Sequence, residues 1–152
     1  MIRYRKVVDT DIDIIYNWTN DPEIRQISFN SAFIEYENHV KWFTTKLTET
    51  TTFFNLFMNE ENEIIGFVRI EKKADEFVIG LFVDKKQRGK NYSYAMLLQA
   101  SADFKSVHPL EAIHAYIKKD NIASIKSFSK AGFTNQQEIT IHDIPSIVLT
   151  KN

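Results

Sequence analysis

The sequence predicts a mixed α/β fold with about seven strands in one mostly antiparallel sheet and four flanking helices. Three strand-like runs between residues 52 and 83 are joined by short polar turns, and turns this short join antiparallel neighbours. A strand, a helix and another strand follow one another over residues 76–118, which predicts a parallel crossover. Two last strand-like runs, separated by His142 and Asp143, predict an antiparallel end to the sheet.

The composition indicates a single domain spanning residues 1–152. A chain of 152 residues that is 43% hydrophobic and 13% aromatic can bury one sizeable core but is short for two. Its net charge of -1 argues against broad electrostatic binding to nucleic acid or to an anionic membrane. The sequence shows no apolar run of membrane-spanning length, so a cytoplasmic protein is expected.

No metal site is expected. The chain contains no cysteine, which excludes disulfides, thiolate nucleophiles and cysteine-ligated metals. The four histidines show no paired spacing typical of metal ligands, and a histidine outside such a pattern is more often structural.

The chain begins with a predicted strand over residues 2–8, followed by a helix. Thr10 offers the cap of this helix, and Asp13 is placed to complete a capping box. The helix ends before Pro22, because the residue before a proline is pushed out of the helical region. Residues 23–31 are predicted to be irregular.

A second helix is predicted over residues 34–48. Its apolar side chains recur at helical spacing, and they form a face made of Tyr36, Val40, Phe43 and Leu47. His39 and Trp42 flank that face. Strands at 52–58, 63–71 and 76–83 come next.

The stretch from Gln87 to Phe104 predicts a basic turn that leads directly into a helix. The first N–H groups of a helix have no partners inside it, and the helix dipole makes that end partly positive. An anion is favoured there, although the charges alone fit a solvated turn better; the cations of the turn are Lys85, Lys86, Arg88 and Lys90. The predicted buried face of the helix is Tyr94, Leu97, Leu98 and Phe104.

The last third of the chain predicts a strand, a helix and two further strands. The strand covers 112–118, and Asn121 can cap the helix that follows it. Gly132 ends this helix at the position where a left-handed residue is wanted. The two final strands are predicted at 133–141 and 144–150.

Two motifs accompany this order of elements, each placed before a helix. Arg88-Gly-Lys-Asn-Tyr-Ser93 aligns with the form Arg/Gln-x-x-Gly-x-Gly/Ala. The second motif has an asparagine, a small residue three later, an aromatic residue and a closing Gly-Phe; here these are Asn121, Ser124, Phe128 and Gly132-Phe133. With both motifs at the right separation, essentially the whole chain resembles the GNAT-type N-acetyltransferase superfamily.

The resemblance implies a GNAT fold, in which the sheet is splayed at its parallel pair of strands and acetyl-CoA is the co-substrate. The strand before the basic turn would meet the pantetheine arm, and Gly80 would suit a bulge there. The residues implied to bind acetyl-CoA are Leu81, Phe82, Val83, Arg88, Gly89, Lys90, Asn91, Tyr92, Ser93, Tyr94, Asn121, Ser124 and Phe128. Asn121 fits the role of a plain helix cap equally well.

The chain departs from the family pattern at two places. Asn91 and Ser93 stand where the turn motif has glycines, and asparagine tolerates the left-handed conformation better than most residues. Phe128 stands where many relatives have a tyrosine that protonates the leaving thiolate, and phenylalanine has no proton to donate. Either Tyr94 or Tyr116 substitutes for it, or the thiolate, with an ordinary pKa of about 8.5, leaves unprotonated.

The reaction implied is direct attack of a primary amine on the acetyl thioester, without a covalent enzyme intermediate. The ammonium must first lose a proton to a base, or to a water chain that ends at a carboxylate. The candidates of the right chemical type are His39, Glu71 and His114, and no decisive motif selects among them.

Substrate choice is implied to lie in the first two helices and their connection. The residues expected to contact the acceptor are Arg25, Phe29, Asn30, His39 and Trp42. An arginine would meet a phosphate, an aromatic ring would stack on a base or a sugar, and an asparagine would bond hydroxyls. This region is similar to the acetyltransferases of nucleotide-linked amino sugars and to the ribosomal-protein and spermidine acetyltransferase branch.

Alternatives to an amino-sugar substrate stay open. Protein N-termini and polyamines are the runners-up, and a polyamine site should have clustered carboxylates, whereas the nearby Glu35, Glu37 and Glu49 are not tightly grouped. A protein that binds acetyl-CoA without turnover is a further alternative, because the motif tyrosine and both turn glycines are replaced. Dimers are common among relatives, and the last strands would serve as edges for a homodimer.

Overall fold

The structure, a computed structural model, describes residues 2–152. Within that range the strands are β1 (Arg3–Lys6), β2 (Phe53–Met58), β3 (Ile64–Lys73), β4 (Glu76–Val83), β5 (Ile113–Lys118), β6 (Thr134–Ile141) and β7 (Ile144–Lys151). The helices are α1 (Ile12–Thr19), α2 (Pro22–Ile27), α3 (Tyr36–Thr48), α4 (Tyr92–Val107) and α5 (Ile122–Lys130). Across residues 2–152, no helix combines the length and the apolar character needed to cross a membrane.

The strands form one sheet in the order β1-β2-β3-β4-β5-β7-β6. All neighbours are antiparallel except β4 and β5, which run parallel on either side of the α4 crossover. The predicted mixed sheet of about seven strands with one parallel pair is therefore confirmed. Five helices, rather than the predicted four, flank it.

Apolar side chains cover both faces of the sheet. On one face, α4 and α5 contribute Met96, Leu97, Phe104 and Phe128 to a core that includes Phe77 and Ile79 of β4. On the other face, α1 and α3 contribute Ile15 and Phe43 to a core that includes Phe82. Side chains alternate between the faces of a strand, so β4 serves both cores.

The start of α1 differs from the prediction. A 3-10 turn over Asp9–Asp11 precedes it, and Asp11, rather than Thr10, organises the approach. The Asp11 carboxylate accepts the N–H of Val8 at 2.9 Å and two hydrogen bonds from Arg5 at 2.8 and 2.9 Å. The Arg5 hydrogen bonds hold the pKa of Asp11 below its usual value despite burial.

The prediction of an irregular segment over residues 23–31 is wrong for its first part, because α2 occupies Pro22–Ile27. Pro22 ends α1 and also begins α2, since a proline is well suited to the first turn of a helix. The Asp21 carboxylate caps α2 by accepting the N–H of Glu23 at 2.9 Å.

In two helices, the buried face differs from the predicted one by a rotation about the helix axis. In α3 the buried residues are His39 and Phe43, whereas Tyr36 is exposed. In α4 the predicted core residue Leu98 is 39% exposed, because the buried face consists of Met96, Leu97, Ala100, Ser101 and Phe104.

The expected bulge at Gly80 is absent, because β3 and β4 pair in continuous register and Gly80 lies opposite Arg69. The irregularity lies instead between β2 and β3, at Phe57/Met58. Gly66 is nearby, and a Cβ at Gly66 would lie 2.0 Å from the carbonyl oxygen of Phe82. Only glycine allows β3 to approach β4 this closely.

Candidate active site

β4 and β5 pair at only two positions and then separate, which leaves a gap between them. Hydrogen-bonding directions alternate along an antiparallel strand, and the N–H of Asp84 bonds toward β3, to Ile65, at 2.8 Å. The peptide groups of Leu81 and Val83 therefore point into the gap. Arg88 lies at its edge and donates from Nε to the carbonyl oxygen of Val83 at 3.0 Å.

The turn between β4 and α4 presents the start of α4 to the same gap. The Asp84 carboxylate accepts the N–H of Lys86 and closes a 3-10 turn over Lys85–Gln87. Gly89 and Asn91 then adopt left-handed conformations, with φ angles of 78° and 66°. Asn91 precedes α4, but its side chain does not cap the helix, so the first N–H groups of α4 are suited to hold an anion.

A cavity of about 530 Å³, the cofactor cavity, lies against this turn and the gap. α2 and α5 close its sides through Ile24, Ile27, Ala123 and Ser127. It brings together ten of the residues expected to bind acetyl-CoA, namely Leu81, Phe82, Val83, Arg88, Gly89, Asn91, Tyr92, Ser93, Asn121 and Ser124. Asn121 also caps α5, because its Oδ1 accepts the N–H of Ser124 at 3.3 Å.

Three residues expected at the cofactor lie elsewhere. Lys90 donates to the side chain of Gln87 at 3.1 Å. Tyr94 packs against the core below α4, and the ammonium of Lys130 lies 4.6 Å from its ring centroid. Phe128 is a 4% exposed core residue. Among residues 2–152, the lining of the cofactor cavity includes none of these three.

An acidic side chain of α2 reaches the basic turn, which the sequence did not indicate. Glu23 places Oε2 at 2.9 Å from Nη1 of Arg88 and Oε1 at 3.3 Å from Nζ of Lys85. The other terminal nitrogen of Arg88, Nη2, is buried and has no hydrogen-bond partner within residues 2–152. The turn therefore keeps one unsatisfied cationic donor.

A second cavity of about 450 Å³, the acceptor cavity, lies beside the same strand. It meets β4 at Val78, Ile79 and Gly80, and the next residue, Leu81, lines the cofactor cavity. Glu76, at the start of β4, also lines it, and its lining residues outside β4 are Phe29, Arg69, Glu71, Lys73, Tyr116, Ile141 and His142. The two cavities thus adjoin along β4 where its pairing with β5 has ended.

Glu71 lines the acceptor cavity but is only 3% exposed. Its carboxylate lies 3.0 Å from Nζ of Lys46, 3.3 Å from Nε of Arg69 and 3.2 Å from Nζ of Lys73. Burial on its own raises the pKa of Glu71, but the cations outweigh burial and hold that pKa below its usual value. Such a carboxylate is a weak base, so the geometry does not favour Glu71 as the proton acceptor.

Trp42 lies below Arg69 rather than in the wall of the acceptor cavity. The guanidinium carbon of Arg69 is 4.8 Å from the Trp42 ring centroid and 5.9 Å from that of Phe54. Burial lowers the pKa of Arg69, while the Glu71 charge opposes that shift. Phe29 does line the cavity, as expected of a residue that contacts the acceptor.

Glu76 is a carboxylate of the acceptor cavity that sequence reasoning missed. The hydroxyl of Tyr116 donates to it at 2.8 Å, and Nε2 of His114 lies 3.3 Å from its Oε2. Burial, together with the bond to Glu76, raises the pKa of Tyr116 to about 12. The Glu76 side chain is 44% exposed, so a ligand and solvent both reach it. At the start of a predicted strand it resembled an ordinary solvated residue.

His39 lines neither the cofactor cavity nor the acceptor cavity. It is 2% exposed, its Nε2–H donates to the carbonyl oxygen of Ile12 at 3.0 Å, and burial lowers its pKa. The expected roles of His39 as base and as acceptor contact are therefore not supported by its position. Its ring packs among those of Tyr16, Trp42 and Phe43.

Arg25 and Asn30 organise the connection between α2 and α3 instead of lining the acceptor cavity. Arg25 donates to backbone carbonyl oxygens at 2.7 to 3.3 Å, those of Thr19, Asn30 and Ala32. The Asn30 side chain accepts the N–H of Ala32 at 3.0 Å. Within residues 2–152, no group of three or more histidine, aspartate or glutamate side chains is arranged to hold a metal ion.

Comparison with known proteins gives one family and a consistent set of relatives. A family model described as acetyltransferase (GNAT) domain matches residues 2–134. Acetyltransferase PseH from Campylobacter jejuni subsp. jejuni serotype O:23/36 (strain 81-176) is 28% identical over 131 residues, which cover 84% of this chain and 80% of that protein. PseH from serotype O:2 of the same subspecies is 26% identical over 137 residues, with the same coverage.

Two solved structures illustrate the similarity of fold. Spermidine N-acetyltransferase from Vibrio cholerae, in complex with CoA and spermine, has a TM-score of 0.86 at 11% identity, covering 98% of this chain and 94% of that chain. Aminoglycoside acetyltransferase AAC(6')-Ib, in complex with coenzyme A and kanamycin, has a TM-score of 0.79 at 18% identity, covering 100% of this chain and 95% of that chain.

Proposed function

The chain belongs to the acetyltransferase (GNAT) domain family, and on that premise we propose that it acetylates the primary amine of a nucleotide-linked amino sugar. As a member of that family it is an N-acetyltransferase that uses acetyl-CoA. The observation that carries the proposal is the meeting of two cavities on β4, with Gly80 lining the acceptor cavity and Leu81 the cofactor cavity. A thioester held at Leu81 would face an amine that enters from the other side.

The cofactor cavity offers each part of acetyl-CoA a suitable partner. The N–H groups at the start of α4 would hold the pyrophosphate, and Arg88 would balance its charge through the unpartnered Nη2. The pantetheine arm would enter the gap and bond the peptide groups of Leu81 and Val83, as an added strand does. Phe128 is buried away from this cavity, so the thiolate would leave without help from that position.

We propose that the Glu76 carboxylate is the final acceptor of the proton that the substrate ammonium loses. It is a partly exposed carboxylate in the acceptor cavity, held by Tyr116. Gly80 lies four residues further along β4, roughly 13 Å in an extended strand, so the proton would travel through water. Direct attack of the neutral amine on the thioester would then release the thiolate.

Similarity and charge favour an amino sugar over a polyamine. The curated relatives that align over most of the chain are PseH acetyltransferases, whereas the spermidine enzyme shares the fold at 11% identity. The two carboxylates that line the acceptor cavity, Glu71 and Glu76, are matched there by two cations, Arg69 and Lys73, so the cavity has no excess of negative charge to attract a polyamine. Glu49, a carboxylate considered for a polyamine, is paired with Lys46 instead.

The experiment that tests the substrate is release of free thiol from acetyl-CoA with three amines side by side. These are UDP-linked glucosamine, spermidine and a short peptide with a free N-terminus. Turnover highest on the UDP-linked sugar is expected. Turnover confined to spermidine or to the peptide would replace the amino-sugar proposal with that alternative.

Three further features complete the proposal. Residues 1–152 would form one acetyltransferase domain, working in the cytoplasm where acetyl-CoA is available. β6 is a sheet edge whose residues 134–140 are all exposed, and a second copy would pair there to form a homodimer. Light scattering of the purified protein distinguishes a dimer from a monomer.

A further inference from the structure

We propose that Arg69 and Lys73 form an anion subsite in the acceptor cavity and that this subsite binds the phosphate groups of the acceptor. The inference rests on the proposed function, and it names the part of the substrate that the cavity recognises. Both side chains line the cavity on β3, on the face of the sheet opposite α4. Arg69 lies opposite Gly80 in the β3–β4 register, next to the place where the two cavities meet.

Aromatic rings hold the Arg69 guanidinium in position, and its two terminal nitrogens remain free to bind a ligand. The guanidinium lies over Trp42 at 4.8 Å, and stacking of this kind fixes the plane of the group without using its N–H donors. Nε is 3.3 Å from Glu71, while Nη1 and Nη2 donate to no residue within 2–152. Two donors in one plane match the geometry of a phosphate or a carboxylate.

Gly80 keeps the space in front of Arg69 open. A Cβ added at Gly80 would lie 3.7 Å from Nη2 of Arg69 and meets nothing else within 4 Å. The backbone at Gly80 has no left-handed φ that would require glycine. The missing side chain therefore serves the cavity, because any larger residue would fill the space between β4 and the guanidinium.

Three cations surround the single carboxylate of Glu71, so that carboxylate does not neutralise all of them. One carboxylate faces Lys46, Arg69 and Lys73, and Glu49 further compensates only Lys46. Lys73 is 60% exposed, so its ammonium remains available to a ligand. In the β3–β4 register Glu76 lies opposite Lys73, whereas Arg69 lies opposite Gly80, so the anionic Glu76 and the guanidinium of Arg69 are at different ends of the cavity. A molecule that carries both phosphate and ammonium groups fits this arrangement.

The test is binding of uridine diphosphate to protein saturated with CoA, measured by calorimetry, so that the cofactor cavity is already occupied. Arg69→Gln is expected to weaken this binding about tenfold or more, since it removes a charge-assisted pair of hydrogen bonds. Arg69→Lys keeps a charge beside Glu71 but loses the planar pair of donors, so an intermediate loss is expected. Lys72→Gln is the matched control, because Lys72 lies on the same strand with its ammonium over Phe77, toward α4.

The outcomes separate the subsite from the proposed function. Equal binding by wild type, Arg69→Gln and Lys72→Gln, with unchanged melting temperatures, would overturn the subsite even if amino sugars are acetylated. No binding of uridine diphosphate to the wild type would also overturn it. Conversely, binding lost only in the Arg69 variants supports the subsite even if UDP-linked glucosamine is not the acetylated amine. A second measurement compares glucosamine 1-phosphate with glucosamine as acceptors, where Arg69→Gln should raise the KM of the phosphorylated sugar alone.

Discussion

Glu23 and Arg88 form an ion pair of 2.9 Å that joins helix α2 to the turn in front of α4. Both elements line the cofactor cavity, and Lys85 shares the same carboxylate. The Glu23 carboxylate therefore pairs with two cations, Lys85 and Arg88, to which the phosphates of acetyl-CoA would also be attracted.

Replacement of Glu23 by glutamine is expected to strengthen acetyl-CoA binding by about twofold to fivefold, because an exposed ion pair contributes up to about 1 kcal/mol. Calorimetric titration with CoA measures the change. The gain should shrink at high salt, since screening weakens both interactions. Glu37→Gln removes the same charge from an exposed position on α3 and should have no effect. Weaker binding by Glu23→Gln would show that the ion pair orders the site rather than competing with the cofactor.

Replacement of Glu71 by glutamine is expected to destabilise the fold by about 2–4 kcal/mol at pH 7, because three cations lose their shared partner. The pKa of Glu71 is lowered in the folded protein, so its contribution is fully present above the unfolded value of about 4.3. It is lost as the pH falls through the folded pKa. Urea unfolding of both proteins between pH 7 and pH 3 measures this.

The difference between wild type and Glu71→Gln should therefore be constant above about pH 5 and shrink below about pH 4. Glu138→Gln, at an exposed ion pair with Lys119, is the control and should change stability by less than about 1 kcal/mol. A difference that persists undiminished to pH 3 would contradict the lowered pKa.

Replacement of Glu76 by glutamine is expected to lower kcat/KM about 100-fold at pH 7, because the amine proton loses its acceptor. The affinity for CoA should not change, since Glu76 does not line the cofactor cavity. Asp75→Asn, in the exposed turn next to it, is the control. Steady-state rates over pH 6–9 provide the measurement, and a loss below about threefold would remove Glu76 from the proton path.

Phe128→Tyr restores the tyrosine of the family pattern, but we expect no gain in kcat. Phe128 is 4% exposed and packs edge to face with Phe133 at 5.1 Å, outside the cofactor cavity. A hydroxyl without a partner there costs about 1–3 kcal/mol and lowers the melting temperature. Phe128→Leu separates the loss of packing from the added hydroxyl. A tenfold higher kcat in Phe128→Tyr would show instead that the position reaches the leaving thiolate.

The sequence predicted the sheet well because its connections are local. Short turns and one crossover helix determine which strands are neighbours, and the left-handed Asn91 before α4 follows from local preference. Ten of the thirteen expected cofactor residues line one cavity, because the crossover brings together the end of β4, the turn into α4 and the start of α5, to which these residues belong.

The acceptor side was predicted poorly, because its contacts join distant parts of the chain. Arg25 was expected to meet a phosphate, yet carbonyl groups of its own connection take its donors. Arg69 and Glu76 looked like ordinary strand residues. Their chemistry arises from Trp42 and Tyr116, which lie 27 and 40 positions away in the chain, and no periodicity reports such pairings.

Because β4 and β5 diverge after two paired positions, the sheet has unpaired backbone groups between two of its central strands. The peptide groups of Leu81 face the gap with no paired strand beside them, and Arg88 bonds only the neighbouring carbonyl of Val83. An extended molecule in the gap would continue the hydrogen-bond network between β4 and β5. The thermal stability of the protein would then rise with the concentration of its own co-substrate.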